Sequence, residues 1–231
     1  MSTSAISSDF ASQRQTMVDC QIRTFDVTDQ AVIDRFLATP RELFTPGPLR
    51  ELAYSDAPLE ITTESGESRC MLPPLVLARM VQGADVRVTD RVLDIAGGAG
   101  YSAAILAGLA REVVSLESIA SLSALAASNF AQAGLNATAV CGPLDASSGV
   151  SGAFDLIVVN GAVEEGLEPL FAKLTPGGRI VAIQRVINDP SGKAGKVTRF
   201  EKVAGELSRR VLFDASGPVL APFARRPAFV F

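Results

Sequence analysis

Apolar and polar positions change rhythm near residue 85, and that change predicts the architecture. From Asp85 onward, short apolar runs alternate with longer stretches whose apolar residues recur every three or four positions. RVLDI, EVVSLE, ATAVC, FDLIVVN and GRIVAI read as five strands. Between them lie a helix containing Ala103 to Leu109, one beginning at Ser118 with Leu122, Leu125, Ala126 and Phe130 on one face, and a short one in LEPLFAKL. Near-continuous apolar strands alternating with amphipathic helices imply right-handed βαβ units around a parallel sheet covered on both faces. KVTRFEKV and ELSRRVLF, flanking Ala204–Gly205, then read as an antiparallel hairpin.

Residues 9–50 read differently. Ser8 or Asp9 caps a helix running to about Ile22, and Thr28 caps a second that Pro40 stops. Residues 45–70, rich in Pro, Ser, Thr and Glu, read as irregular, a property that often accompanies function. Pro73 and Pro74 open a short helix carrying Leu75 to Val81. The expected architecture is one doubly wound α/β domain over residues 1–231: a helical and loop-rich extension, 1–84, and a Rossmann-like core, 85–231.

In such sheets ligands bind at the carboxyl ends of the strands. Three ends stand out here. The first, Asp94-Ile95-Ala96-Gly97-Gly98-Ala99-Gly100, exposes backbone where Gly97, Gly98 and Gly100 lack side chains, and it leads into a helix N-terminus. The same residues also suit an ordinary tight strand-to-helix turn. The second end is Glu117, 17 residues after Gly100, whose carboxylate can accept both hydroxyls of a ribose or simply favour the start of the next helix. The third is Asn160–Gly161. Gly98 to Ala103 fits GxGxxA, which suits NAD or FAD. Asp94 inside the strand end and the long preceding extension favour S-adenosylmethionine (AdoMet) instead.

Composition narrows the chemistry. The chain of 231 residues contains no histidine, which excludes His-based catalytic triads and His-ligated metals. Cys20, Cys70 and Cys141 form no CxxC pair, so neither a zinc site nor a redox dithiol is expected. A net charge of −4 argues against nucleic-acid binding, a local patch at Arg225–Arg226 aside. No apolar run approaches the roughly 20 residues of a membrane span. The polar N-terminus has no secretory pattern, so the expected location is the cytoplasm and the Asn136-Ala137-Thr138 sequon is incidental.

From Met17 to Ile183 the chain resembles the protein-L-isoaspartate O-methyltransferase family. MVDCQI, PRELFTP, AYSDAPLEI, VLDIAGGAGYSAAILA, SLES, FDLIVVNGA and LTPGGRIVA occur in the family's order. The resemblance implies an AdoMet-dependent carboxyl methyltransferase, releasing S-adenosylhomocysteine, that acts on isoaspartyl residues of damaged proteins. It also implies a cofactor site drawn from Asp94, Ala96, Gly97, Gly98, Gly100, Glu117, Gly142, Pro143 and Asn160. Three departures are visible. SRCMLPP puts Leu72 where the family's substrate loop carries a hydroxyl, and Pro73 at its glutamine. Ala96 replaces a glycine, and Gly142-Pro143-Leu144 replaces GDG, which leaves Asp145 as the nearest acid. Thr62, Thr63, Ser65, Ser68 and Arg69 are candidate replacements for the lost hydroxyl, and a guanidinium at Arg69 can pair with a carboxylate bidentately. Cys70 is read as a reactive thiol or a passive neighbour. The alternatives are a different methyl acceptor on the same fold, a non-catalytic AdoMet or S-adenosylhomocysteine binder, and a dehydrogenase.

Overall fold

The computed structural model of the chain describes residues 3–64, 66, 68–203 and 206–225. Its centre is a seven-stranded sheet. The strands are β3 (Arg91–Ile95), β4 (Glu112–Glu117), β5 (Ala137–Cys141), β6 (Phe154–Val163), β7 (Leu174–Arg185), β8 (Gly195–Val203) and β9 (Glu206–Asp214). They lie in the order β5-β4-β3-β6-β7-β8-β9. The first five pair in parallel, and β8 and β9 add the antiparallel hairpin. The order reverses between β3 and β6, beside the glycine-rich turn. Ala204 and Gly205 at the hairpin's tip lie outside the described residues.

Successive side chains of a strand point to opposite faces, and the core divides accordingly. Val92, Leu156, Val158, Val181 and Ile183 join one hydrophobic cluster, while Leu93, Ile95, Ile157, Val159, Ile180 and Ala182 join another. The first cluster also takes in Phe10, Met17, Phe36 and Met80 from α1 (Thr3–Met17), α2 (Gln30–Ala38) and α3 (Pro74–Ala84), as well as α4 (Tyr101–Ala107) and α5 (Ala120–Ala133). Residues before and after position 85 therefore share one core. A short α6 (Glu168–Ala172) covers the other face.

Several boundaries differ from the sequence reading. The helix placed from Ser8 or Asp9 is already helical at Thr3, and a π-helical turn, Val18–Ile22, carries it to the expected end. Asp29 rather than Thr28 caps α2, its carboxylate accepting the amides of Ala31 and Val32. α5 opens at Ala120, not Ser118, and Leu125 lies outside its buried stripe. The stretch read as irregular holds a 3-10 turn, Gly47–Leu52, and an antiparallel ribbon of β1 (Leu59–Thr62) and β2 (Ser68–Met71). β6 does not end at Asn160: it continues to Val163 through a register shift between Val158 and Ala162, where Val219 bridges to it.

At the opposite end of the sheet, Arg179 is buried at the edge of α3. Its guanidinium donates to the carbonyls of Ala84, Asp85 and Asp155 and pairs with Asp90 at 2.7 Å.

Candidate functional site

The turn after β3 is held from below. Asp94, wholly buried, accepts Ser102 Oγ at 2.7 Å and Asn160 Nδ2 at 2.8 Å. The Asn160 amide also reaches the Ile95 carbonyl at 3.0 Å, stitching β6 to the turn. A Cβ on Gly97 would stand 2.4 Å from the Asp94 carboxylate and 2.7 Å from Ser102 Oγ, so only glycine fits beneath this network. Gly100 has φ +96°, and a Cβ there would meet the Phe130 ring at 2.5 Å, which makes glycine the condition for α4 and α5 to pack.

Burial raises the Asp94 carboxyl to about 6, against the usual 3.8, more than the bonds from Asn160 and Ser102 lower it. A raised carboxyl favours folding below about pH 4, where it is protonated in both states, and loses that advantage as pH climbs through 6. The loss is on the order of 3 kcal/mol. Asp94→Asn keeps an acceptor for Asn160 and supplies a donor for Ser102, so its stability is expected to vary less between pH 4 and 7 than that of the parent chain. Chemical melts across that range measure the difference.

Glu117 ends β4 on the other side of the turn and is 1% exposed. One carboxylate oxygen accepts the amides of Ser118 at 2.8 Å and Ile119 at 3.1 Å; the other accepts that of Gly98 at 3.3 Å. Both oxygens face Arg69 of the ribbon, with Nη2 at 2.8 Å and Nε at 3.2 Å. Arg69 Nη2 also donates to Ser118 Oγ at 2.6 Å. The sequence predicts a carboxylate open to a ligand. In the structure an arginine from the extension occupies it, a pairing between residues 48 positions apart.

The ribbon thus lies across the glycine-rich turn. Ile61 and Arg69, opposite each other in the ribbon, are the side chains nearest a Cβ built at Gly98, at 3.8 and 3.7 Å. Beneath it only about 10 Å³ of space remains, lined by Arg41, Cys70, Leu72, Gly97, Tyr101 and Asn160 among others. Leu72 therefore reaches the neighbourhood of the turn, as the resemblance implies. Two larger cavities flank the ribbon. One, of about 470 Å³, lies between Glu60, Ser68, Arg69 and Cys70 and the C-terminal segment Pro218 to Ala221. The other, of about 920 Å³, runs from Ile61, Thr62 and Thr63 to Ile119 and Leu122.

The remaining candidates scatter. Gly142 follows β5 and donates its amide to the Glu117 carbonyl, whereas Pro143 is exposed. Asp145 accepts the Ser147 amide in its own turn. Ala96 adopts φ +59° and donates its amide to Leu116. Ser65 lies outside the described residues. Burial raises the Cys70 thiol to about 11, so it is protonated at neutral pH and a passive neighbour.

Three residues of the site escape a reading by pattern. Arg41 is wholly buried, donates to the carbonyls of Ala53 and Leu72, and lies 4.7 Å over the Tyr101 ring. Arg41 and Tyr101 both line the small cavity. The third is Ser118. Arg41 falls within PRELFTP, the one signal that marked it.

Comparison with known proteins agrees with this geometry. Residues 12–212 match the family described as Protein-L-isoaspartate(D-aspartate) O-methyltransferase. A protein-L-isoaspartate O-methyltransferase of Methanoculleus marisnigri is 38% identical over 175 residues, 74% of this chain and 76% of that protein. One from Koribacter versatilis is 35% identical over 208 residues, 89% of each chain. A solved protein-L-isoaspartate O-methyltransferase superposes with a TM-score of 0.76 at 25% identity, covering 91% of this chain and 67% of that one. A putative Plasmodium falciparum protein-L-isoaspartate O-methyltransferase, solved in complex with S-adenosyl-L-homocysteine, shares the fold with a TM-score of 0.73 at 18% identity, over 92% and 98% of the two chains.

Proposed function

Since the chain belongs to the protein-L-isoaspartate(D-aspartate) O-methyltransferase family, we propose that it methylates the carboxylate of isoaspartyl residues in proteins with AdoMet as donor. What supports the reading in this chain is the buried Glu117 carboxylate, held by three backbone amides beside a turn without side chains. Two of those amides fill one carboxylate oxygen, and the other, which accepts only the Gly98 amide, has a site left for a ribose hydroxyl. The residues fit AdoMet once Arg69 withdraws: Glu117 for the ribose, Gly97 and Gly98 for close approach, and Gly142 beside the strand end.

When bound, AdoMet supplies a methyl group on a sulfonium for in-line displacement. The chain's residues do the positioning, which accounts for much of such catalysis. An isoaspartyl carboxylate, with a pKa near 4, is already ionised at neutral pH and needs no general base. A chain without histidine can therefore run the reaction. The buried Asp94–Ser102–Asn160 network keeps the turn in place, and the ribbon excludes water. In this proposal residues 1–84 close the crevice of residues 85–231 within one domain. Among the described residues no helix is long and apolar enough to cross a membrane, and the three cysteines are free thiols. A reducing cytoplasm suits them.

Incubation with an isoaspartyl peptide and methyl-labelled AdoMet tests the reading. Base-labile label in the peptide is the expected result; no transfer under conditions where a family enzyme works overturns the repair function. One observation favours a second reading. Leu72 is buried and apolar where the family has a hydroxyl, which points to a different acceptor on the same fold. Label appearing in another molecule of a lysate, and not in the peptide, would select it.

A further inference from the structure

We propose that Arg69 is an exchangeable latch: its guanidinium closes the cofactor crevice by holding Glu117 and, when the cofactor's ribose takes that carboxylate, turns to bind the acceptor's carboxylate in the adjoining cavity. The inference rests on the AdoMet reading and adds an order of binding to it.

Three observations carry it. Arg69 Nε occupies the Glu117 oxygen that otherwise accepts only the Gly98 amide, the acceptor a ribose hydroxyl needs, so arginine and ribose exclude each other there. Glu117 does not depend on the arginine for its place, since three amides keep it there when the guanidinium leaves. Arg69 is also the one cation among the described residues lining the 470 Å³ cavity, whose other charged lining residue is Glu60. While the guanidinium is committed to Glu117, that cavity has no free cation among the described lining residues to receive an anionic acceptor, and Glu60 is exposed. Once released, the guanidinium offers a planar pair of donors that matches a carboxylate. The latch therefore couples the two sites, and coupling is reciprocal: each ligand tightens the other by the same factor.

Calorimetry with S-adenosylhomocysteine and an isoaspartyl peptide tests this on the full chain. In the unaltered chain the peptide is expected to bind about tenfold more tightly when S-adenosylhomocysteine is present. Arg69→Ala is expected to bind S-adenosylhomocysteine about tenfold more tightly than the parent, because no latch competes, and to lose the peptide's dependence on it. Arg69→Lys, which keeps the charge without the fork, is expected to fall between. A purely structural arginine predicts the reverse for Arg69→Ala, weaker nucleoside binding. Equal or weaker S-adenosylhomocysteine affinity in folded Arg69→Ala, or peptide affinity indifferent to S-adenosylhomocysteine in the unaltered chain, overturns the latch alone. If neither the parent nor Arg69→Ala binds S-adenosylhomocysteine, the AdoMet reading falls and the latch with it.

Discussion

Arg179→Met is expected to lower folding stability by about 3–5 kcal/mol. The size follows from what the substitution leaves behind. Methionine fills most of the volume but donates nothing, so the carbonyls of Ala84, Asp85 and Asp155 lose their partner and Asp90 becomes a buried carboxylate without its cation. Among the described residues, Asp90 keeps the Arg87 amide at 2.8 Å. Against a total of roughly 5–15 kcal/mol for a domain, such a loss unfolds a visible fraction of the protein. Urea denaturation reads it as a lower midpoint at unchanged slope. Adding Asp90→Asn removes the stranded charge and is expected to recover part of the loss, the signature of a coupled pair. A single-variant effect below about 1 kcal/mol would mean that the pair is screened by solvent despite its burial.

Glu117→Ala is the counterpart at the end of the sheet that carries the glycine-rich turn. It is expected to weaken S-adenosylhomocysteine binding by about 1–3 kcal/mol, a factor of roughly 10 to 100 in Kd, through ribose hydroxyls left without an acceptor. In a chain already carrying Arg69→Ala the same change costs more, because there the carboxylate is free for the ligand from the outset. Titration calorimetry on both backgrounds, with a melt to confirm folding, measures the effect. Unchanged affinity in a folded Glu117→Ala chain would place the sugar elsewhere.

Much of the sheet was legible because buried parallel strands carry short, largely apolar runs: Arg91–Ile95, Glu112–Glu117 and Phe154 to Asn160 read directly as elements. The ribbon was not. LEIT and SRCM are four residues each and partly polar, and their pairing is set by what lies beneath them rather than by local pattern. Ser118 was read as a helix start from the apolar stripe that follows it, but the helix opens at Ala120 and the amides of Ser118 and Ile119 are taken by Glu117. The site's acid and glycines followed from strand ends. Arg69 was legible as a guanidinium suited to a carboxylate, but its pairing with Glu117 was not, since no spacing rule connects a loop arginine to a strand acid 48 residues away. Arg41 illustrates the other limit: arginine is rarely buried, so composition gives no hint of one enclosed in the core.

The tightness beneath the glycine-rich turn has an evolutionary side. At Gly97 and Gly100 a single added carbon would collide at 2.4 and 2.5 Å, so the floor of the crevice tolerates almost no drift. The overlying β1–β2 flap buries Leu59, Ile61 and Met71, but its outward positions, Glu60 and Thr62, are exposed and carry no such restriction. A change of methyl acceptor would therefore be accommodated more easily at those outward positions than under the turn.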